Sequence, residues 1–192
     1  MNVLSFDDPR LTAMGLLAEV ATGLSAKTLP SLAEGGLSEI DFETLIRLAR
    51  SPGRRLRMSD LAAQTNMSTS GVTRVVDRLE REGLVVRQAC ATDRRASYAA
   101  ITEAGTDRLT AVLPQHLADI ETWLTGRLTA EQLSTFLNTL TIIRDAVRPC
   151  ATAGARTPSA CSEREPESDP GTGTGIEAEA GTEAVPGAGS VG

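Results

Sequence analysis

The sequence predicts a mostly α-helical chain with one small β element, an α+β arrangement in which a compact lobe is flanked by longer helices. Three observations carry this. Apolar residues recur at spacings of three and four along several segments, each bounded by capping residues and by Pro or Gly. One pair of short runs, 84–89 and 97–101, is instead rich in β-branched or aromatic residues and flanks a basic stretch. Beyond Pro149 the composition shifts to Gly, Ala, Thr, Glu, Pro and Ser, without aromatics. Such a stretch buries too little apolar surface to offset its ordering entropy. Residues 1–149 are therefore read as one folded domain and 150–192 as a disordered, acidic, low-complexity tail.

Asp8-Pro9 starts the first helix, since Asp accepts from free amides and Pro suits the first turn. Leu11, Met14, Leu17, Val20 and Leu24 form its stripe, and Pro30 is expected to end it, giving a helix over about 9–29. Ser38 opens the second helix, with Asp41 three residues on in a variant of the capping box. Ile40, Phe42, Leu45, Ile46, Leu48 and Ala49 give it an apolar face, and Ser51-Pro52-Gly53 stops it. The basic link Arg54-Arg55-Leu56-Arg57 reads equally as a solvated loop or as a set of phosphate contacts.

Ser59 is expected to cap a short third helix ending near Asn66, with Leu61 and Ala62 inward. Ser68 caps a fourth running to about Glu82, where Gly83 supplies a left-handed exit. In this helix Val72, Val75, Val76 and Leu79 share one face, and Thr69, Ser70, Thr73, Arg74, Asp77 and Arg78 share the other. That division suits a helix whose apolar side holds it to its own lobe while its polar side and first turn enter a DNA major groove. The runs 84–89 and 97–101 then form a hairpin, or wing, around Cys90–Ala96. An arginine at its tip is long enough for a minor groove. The lobe spans about 38–101.

Thr102 caps a fifth helix with the stripe Leu109, Val112, Leu113, Leu117, Ile120, Trp123 and Leu124, in which Pro114 predicts a bend or a break. Gly126 ends it. Thr129 and Gln132 then make a capping box for a sixth helix lined by Leu133, Phe136, Leu137, Leu140, Ile143 and Val147. The helices at 9–29 and 103–148 carry more apolar surface than a small lobe can cover. A second copy of the chain covers it most simply.

The net charge is −6, yet eleven arginines face five acids between Arg47 and Arg95. A polyanion responds to that local field rather than to the sum. Three cysteines and a single histidine suggest neither a disulfide framework nor a zinc site, and no glycine-rich phosphate loop or nucleophile elbow is present. We expect no enzyme, no cofactor and no metal. Without an apolar span or a signal-peptide pattern, the chain is expected to be soluble and cytoplasmic, with no membrane partner.

Within Ser68–Gly105, the runs STSGVTRVVDRLEREGLVVRQ, TDRR and ITEAG together resemble the multiple antibiotic resistance regulator (MarR) family of bacterial winged helix-turn-helix repressors. The resemblance runs from the second helix into the fifth. It implies a homodimer held by the first, fifth and sixth helices, acting as a ligand- or signal-responsive repressor or activator on double-stranded DNA. The operator would be pseudo-palindromic with half-sites roughly 10 bp apart. Carried over by position, Ser68, Thr69, Ser70, Thr73 and Arg74 contact bases and phosphates, with Arg78 further along the polar face. Arg94 and Arg95 serve the wing, and Asp93 pairs with an arginine there, Arg95 foremost.

Hydroxyls at a helix start chiefly position it on phosphate, whereas an arginine reads guanine bidentately for about 1–3 kcal/mol of discrimination. Arg74 is the candidate reader, against a phosphate contact or an ion pair with Asp77. Arg54, Arg55, Arg57 and Ser59 are further candidate phosphate contacts. The resemblance also implies a cleft for an aromatic or phenolic effector, for which Phe42, His116 and Trp123 are candidates, against an ordinary core or surface role for each. Cys90 beside the wing is either an ordinary thiol or a redox coupling point. The alternative to a DNA-binding regulator is a protein-interaction module that kept the winged fold and lost DNA binding.

Overall fold

The computed structural model describes residues 6–89 and 96–154. Six α-helices in this range surround a three-stranded antiparallel sheet of order β1-β3-β2. α1 (Pro9–Glu34) is capped by Asp8, whose side chain accepts from the Arg10 amide. The Arg10 guanidinium beside it holds that carboxyl below its ordinary value. α2 (Glu39–Arg50) opens on a complete capping box of Ser38 and Asp41.

α1 does not stop before Pro30 as its sequence suggested but runs through it to Glu34. A proline inside a helix costs roughly 3 kcal/mol. Its last turn is held from both sides: Thr28 Oγ1 donates to the Leu24 carbonyl and Ser31 Oγ to the Thr28 carbonyl. Leu32 is only 1% exposed, and burying a leucine contributes about 1.5–3 kcal/mol. α5 (Glu103–Trp123) is likewise unbroken at Pro114, because Val112 and His116 on either side are buried against the core.

The link at 54–57 is structured. β1 (Arg55–Arg57) is a third strand beside the hairpin, with Leu56 buried opposite Ala99. Its alternation is the period of two expected of a half-buried strand, hidden in three residues by its arginines. In consequence α3 (Met58–Thr65) begins one residue before Ser59, with Arg57 at its N-cap and no side-chain cap. The expected Ser59 cap is therefore corrected: Arg57 is already committed to the sheet, so the helix turns directly out of the strand.

α4 (Thr69–Arg81) has Ser68 as its cap, and Gly83 adopts φ +73° in the exit. β2 (Val85–Ala89) and β3 (Ser97–Ile101) pair from Val85 with Ile101 to Ala89 with Ser97. Val72, Val76, Leu79, Leu45, Leu48 and Leu61 are at most 0% exposed and form the centre of the lobe, closed above by Leu109 and Val112 of α5. α6 (Ala130–Val147) has the Thr129–Gln132 capping box and no buried residue. Among the described residues, no helix is long and apolar enough to cross a membrane.

The fold also continues past the expected boundary at Pro149. A 3-10 turn, Pro149–Thr152, seats Ala151 at 4% exposure, so residues 150–154 belong to the folded part. The rest of the expected tail lies outside the described residues.

Candidate nucleic-acid interface and adjoining cleft

The first turn of α4 stands clear of the lobe. Ser68, Thr69 and Ser70 are exposed, while Val72, Val75, Val76 and Leu79 hold the opposite face down. Ser68 Oγ accepts from the Gly71 amide at 3.1 Å and lies 3.1 Å from Ser70 Oγ, which fixes the turn without covering its remaining amides. Thr73 donates to the Thr69 carbonyl at 2.8 Å. Arg74 is exposed and forms no ion pair with any described residue; Asp77, its alternative partner, is taken by Arg87. The helix start thus offers free amides, hydroxyls and one uncommitted guanidinium, the chemistry that grips phosphate and reads a base edge.

Arg78 is placed differently from Arg74. Its guanidinium pairs with the Asp41 carboxylate, 11% exposed on its side chain, and so joins α4 to the start of α2. The basic link is also partly committed. Arg57 Nε donates to the Tyr98 hydroxyl at 2.8 Å, Arg55 Nη1 to Gln88 Oε1 at 3.2 Å, and both guanidiniums lie over the Tyr98 ring. Arg54 donates to Thr106 Oγ1 from a left-handed backbone position, and Ser59 is exposed. Asp93, Arg94 and Arg95 of the wing tip, and Cys90, lie outside the described residues.

Two structural residues were missed in the sequence. Asp41 does more than cap α2, since it also takes the Arg78 guanidinium, and Arg87 of β2 is a tie between strand and helix. Arg87 reaches from β2 to α4, pairing with Asp77 and Glu80 and donating to the Thr73 carbonyl at 3.3 Å. Its own amide donates to Glu80 Oε1 at 3.1 Å. The root of the wing is therefore fastened to the recognition helix. The signal in the sequence was the pair of acids one turn apart at 77 and 80, facing a β-strand arginine.

Behind the lobe lies a cleft of about 600 Å³ between α1, α2, α5 and the end of α6. Phe42 and His116 meet in it, ring centroids 4.8 Å apart, with Leu29, Leu32 and Ile46 beside them and Arg47, Arg50 and Arg144 around the rim. His116 Nδ1 lies 3.2 Å from the Thr28 carbonyl oxygen and 3.5 Å from Ser31 Oγ. Trp123 is elsewhere: it stands against Val20, Leu24 and Lys27, with the Lys27 ammonium 4.7 Å from its ring centroid. Two of the three candidate cleft residues are brought together and the third is not. Among the described residues no group of three His, Cys, Asp or Glu is placed to hold a metal.

Comparison with known proteins matches the MarR family over residues 35–96. The chain is 34% identical over 86 residues to the HTH-type transcriptional regulator MhqR of Bacillus subtilis, covering 45% of this chain and 58% of that protein. It thus spans little more than half of that relative's length. Among solved structures it resembles AbsC, a MarR family transcriptional regulator from Streptomyces coelicolor, at 32% identity and a TM-score of 0.70, over 77% of this chain and 99% of the other. It also resembles Sco3205, a MarR family regulator from the same organism solved in complex with DNA, at 29% identity and a TM-score of 0.67, over 78% and 92%.

Proposed function

The chain belongs to the MarR family, and on that premise we propose that it is a sequence-specific DNA-binding transcriptional regulator that works as a homodimer in the cytoplasm. The observation that carries this is the first turn of α4, where Ser68–Ser70 and Arg74, which pairs with none of the described residues, are exposed while the valine face is buried. The solved complex of Sco3205 with DNA supports the same use of the lobe. Leu11, Met14, Leu117, Leu137, Ile142 and Val147 expose apolar surface on α1, α5 and α6. Exposed apolar side chains on three helices mark an interaction surface, and a second copy is the occupant proposed.

In this reading Ser68, Thr69, Ser70 and Thr73 set the helix on phosphate, Arg74 reads a base, and Arg94 and Arg95 reach the flanking minor groove. Ser59 adds a phosphate contact from the start of α3. The Phe42–His116 cleft takes a small aromatic or phenolic effector whose binding changes the affinity for DNA. Its aromatic floor suits a ring, and the rim arginines suit an acidic substituent. Trp123 is not part of that cleft. The test is selection of genomic fragments bound by the full chain, followed by gel shift at several salt concentrations. A pseudo-palindromic consensus with steep salt dependence supports the reading. A chain that enriches no sequence, yet captures a defined protein, supports the interaction-module alternative.

A further inference from the structure

The segment that follows α6 is docked onto the helix-turn-helix. Arg148 leaves the helix and donates from Nη2 to the Gln64 carbonyl at 2.9 Å, one of the last carbonyls of α3, which have no partner within that helix. Arg47 Nη1 donates to the Ala151 carbonyl at 2.8 Å, and Gln64 Nε2 to the Ala153 carbonyl. Ala151 is 4% exposed and Gln64 3%. Gly154 then adopts φ +73°, and a Cβ there would stand 2.6 Å from Asp60 Oδ2. The backbone conformation favours glycine there, and any added side chain would also press on the Asp60 carboxylate.

The same segment has a second face. Ala151 and Thr152, with Arg144, form one wall of the Phe42–His116 cleft. On the other side of that wall lies α3, which packs directly on α4. We propose that Arg148–Gly154 is a strap that braces α3 and couples the cleft to the recognition helix, so that α4 is held in its DNA-reading position only while the strap is seated. This rests on the reading of the lobe as a DNA reader. A molecule filling the cleft touches α2, Gln64 of α3 and the strap together; α2 meets α4 directly, and the strap adds a second route, through its bonds to Arg47 and Gln64.

The test uses the full chain and its Gly154→Val variant, which leaves every cleft-lining and DNA-facing side chain in place. Two quantities are measured: amide hydrogen exchange, and affinity for the DNA selected above. The Ala151 and Ala153 amides, bonded to the Arg148 and Cys150 carbonyls, report the strap, and the amides of 61–67 report α3. We expect Gly154→Val to release the strap amides, speed exchange in α3 about tenfold and weaken DNA binding about tenfold. If it leaves the strap seated, Ala151→Glu, a charge at a 4% exposed position, unseats it and the same readings apply. A released strap with unchanged α3 exchange, or with unchanged or tighter DNA binding, overturns the proposal. If the unaltered chain binds no DNA at all, the DNA reading fails, and α3 exchange still decides whether the strap is a brace.

Discussion

Asp41 holds three partners at once: it accepts from the Ser38 hydroxyl at 2.6 Å and from the Ser38 amide at 3.3 Å, and its other oxygen takes the Arg78 guanidinium. One carboxylate thus caps α2 and positions α4. Arg74 and Arg78 lie one turn apart on the same helix, yet only Arg78 is committed within the fold.

Arg78→Ala and Arg74→Ala are therefore expected to separate stability from recognition. Arg78 is 40% exposed on its side chain, so solvent screening limits its loss to about 1 kcal/mol in urea unfolding. Arg74→Ala leaves stability within about 0.5 kcal/mol. It relaxes base preference at one position of each half-site by about 1–3 kcal/mol. Equal effects of the two on base preference would show that the pairing with Asp41 does not restrain Arg78.

Removing Arg87 is expected to loosen the wing root from α4. Arg87→Ala leaves Asp77 and Glu80 facing each other without their shared cation, and strips the Thr73 carbonyl of a donor. Exchange at the β2 amides, read by hydrogen exchange, should quicken more than exchange in α6, which is distant from it. Unaltered β2 exchange would mean that the strand pairing alone fixes the wing.

Gly105 sits where α5 crosses the Leu84 carbonyl, and a Cβ there would also meet Ile101 Cγ1 at 2.7 Å. Backbone cannot yield as a side-chain tip does. Gly105→Ala should cost about 1–3 kcal/mol of unfolding free energy by overpacking, whereas Gly15→Ala, with nothing near its added Cβ, should be neutral or stabilising. A neutral Gly105→Ala would mean that the α5 start shifts freely.

His116 is the sole histidine of the chain and is 8% exposed, with Phe42 against its ring. Its modification by diethyl pyrocarbonate should be slow, and Phe42→Ala should speed it about tenfold by opening local access to the ring. A rate equal to that of a free imidazole in the unaltered chain would show that the cleft does not enclose it.

Much of this was legible from residue spacing. The caps at Asp8, Ser38, Ser68, Thr102 and Thr129 all hold as read, because each depends on a side chain three residues or fewer from its amide. Local chemistry of that range is written in sequence. Pro30 misled because its cost is local, while the burial of Leu32 that offsets it depends on α5 and α2. β1 was hidden because three residues carry too little periodicity and its partner strand lies more than 40 residues on. The strap was hidden for the same reason: Arg47 and Gln64 find Ala151 and Ala153 only in the fold. At the site, the exposed turn of α4 was readable from its two faces. The commitment of Arg78 to Asp41 was not, since 37 residues separate them.

The salt dependence of binding to the selected operator tests the central claim most directly. If paired α4 helices and wings grip phosphate and bases, the logarithm of the affinity should fall linearly and steeply with the logarithm of salt concentration, and Arg74→Ala should reduce discrimination between operator and scrambled DNA. Binding that is insensitive to salt, or discrimination unaltered by Arg74→Ala, would contradict it.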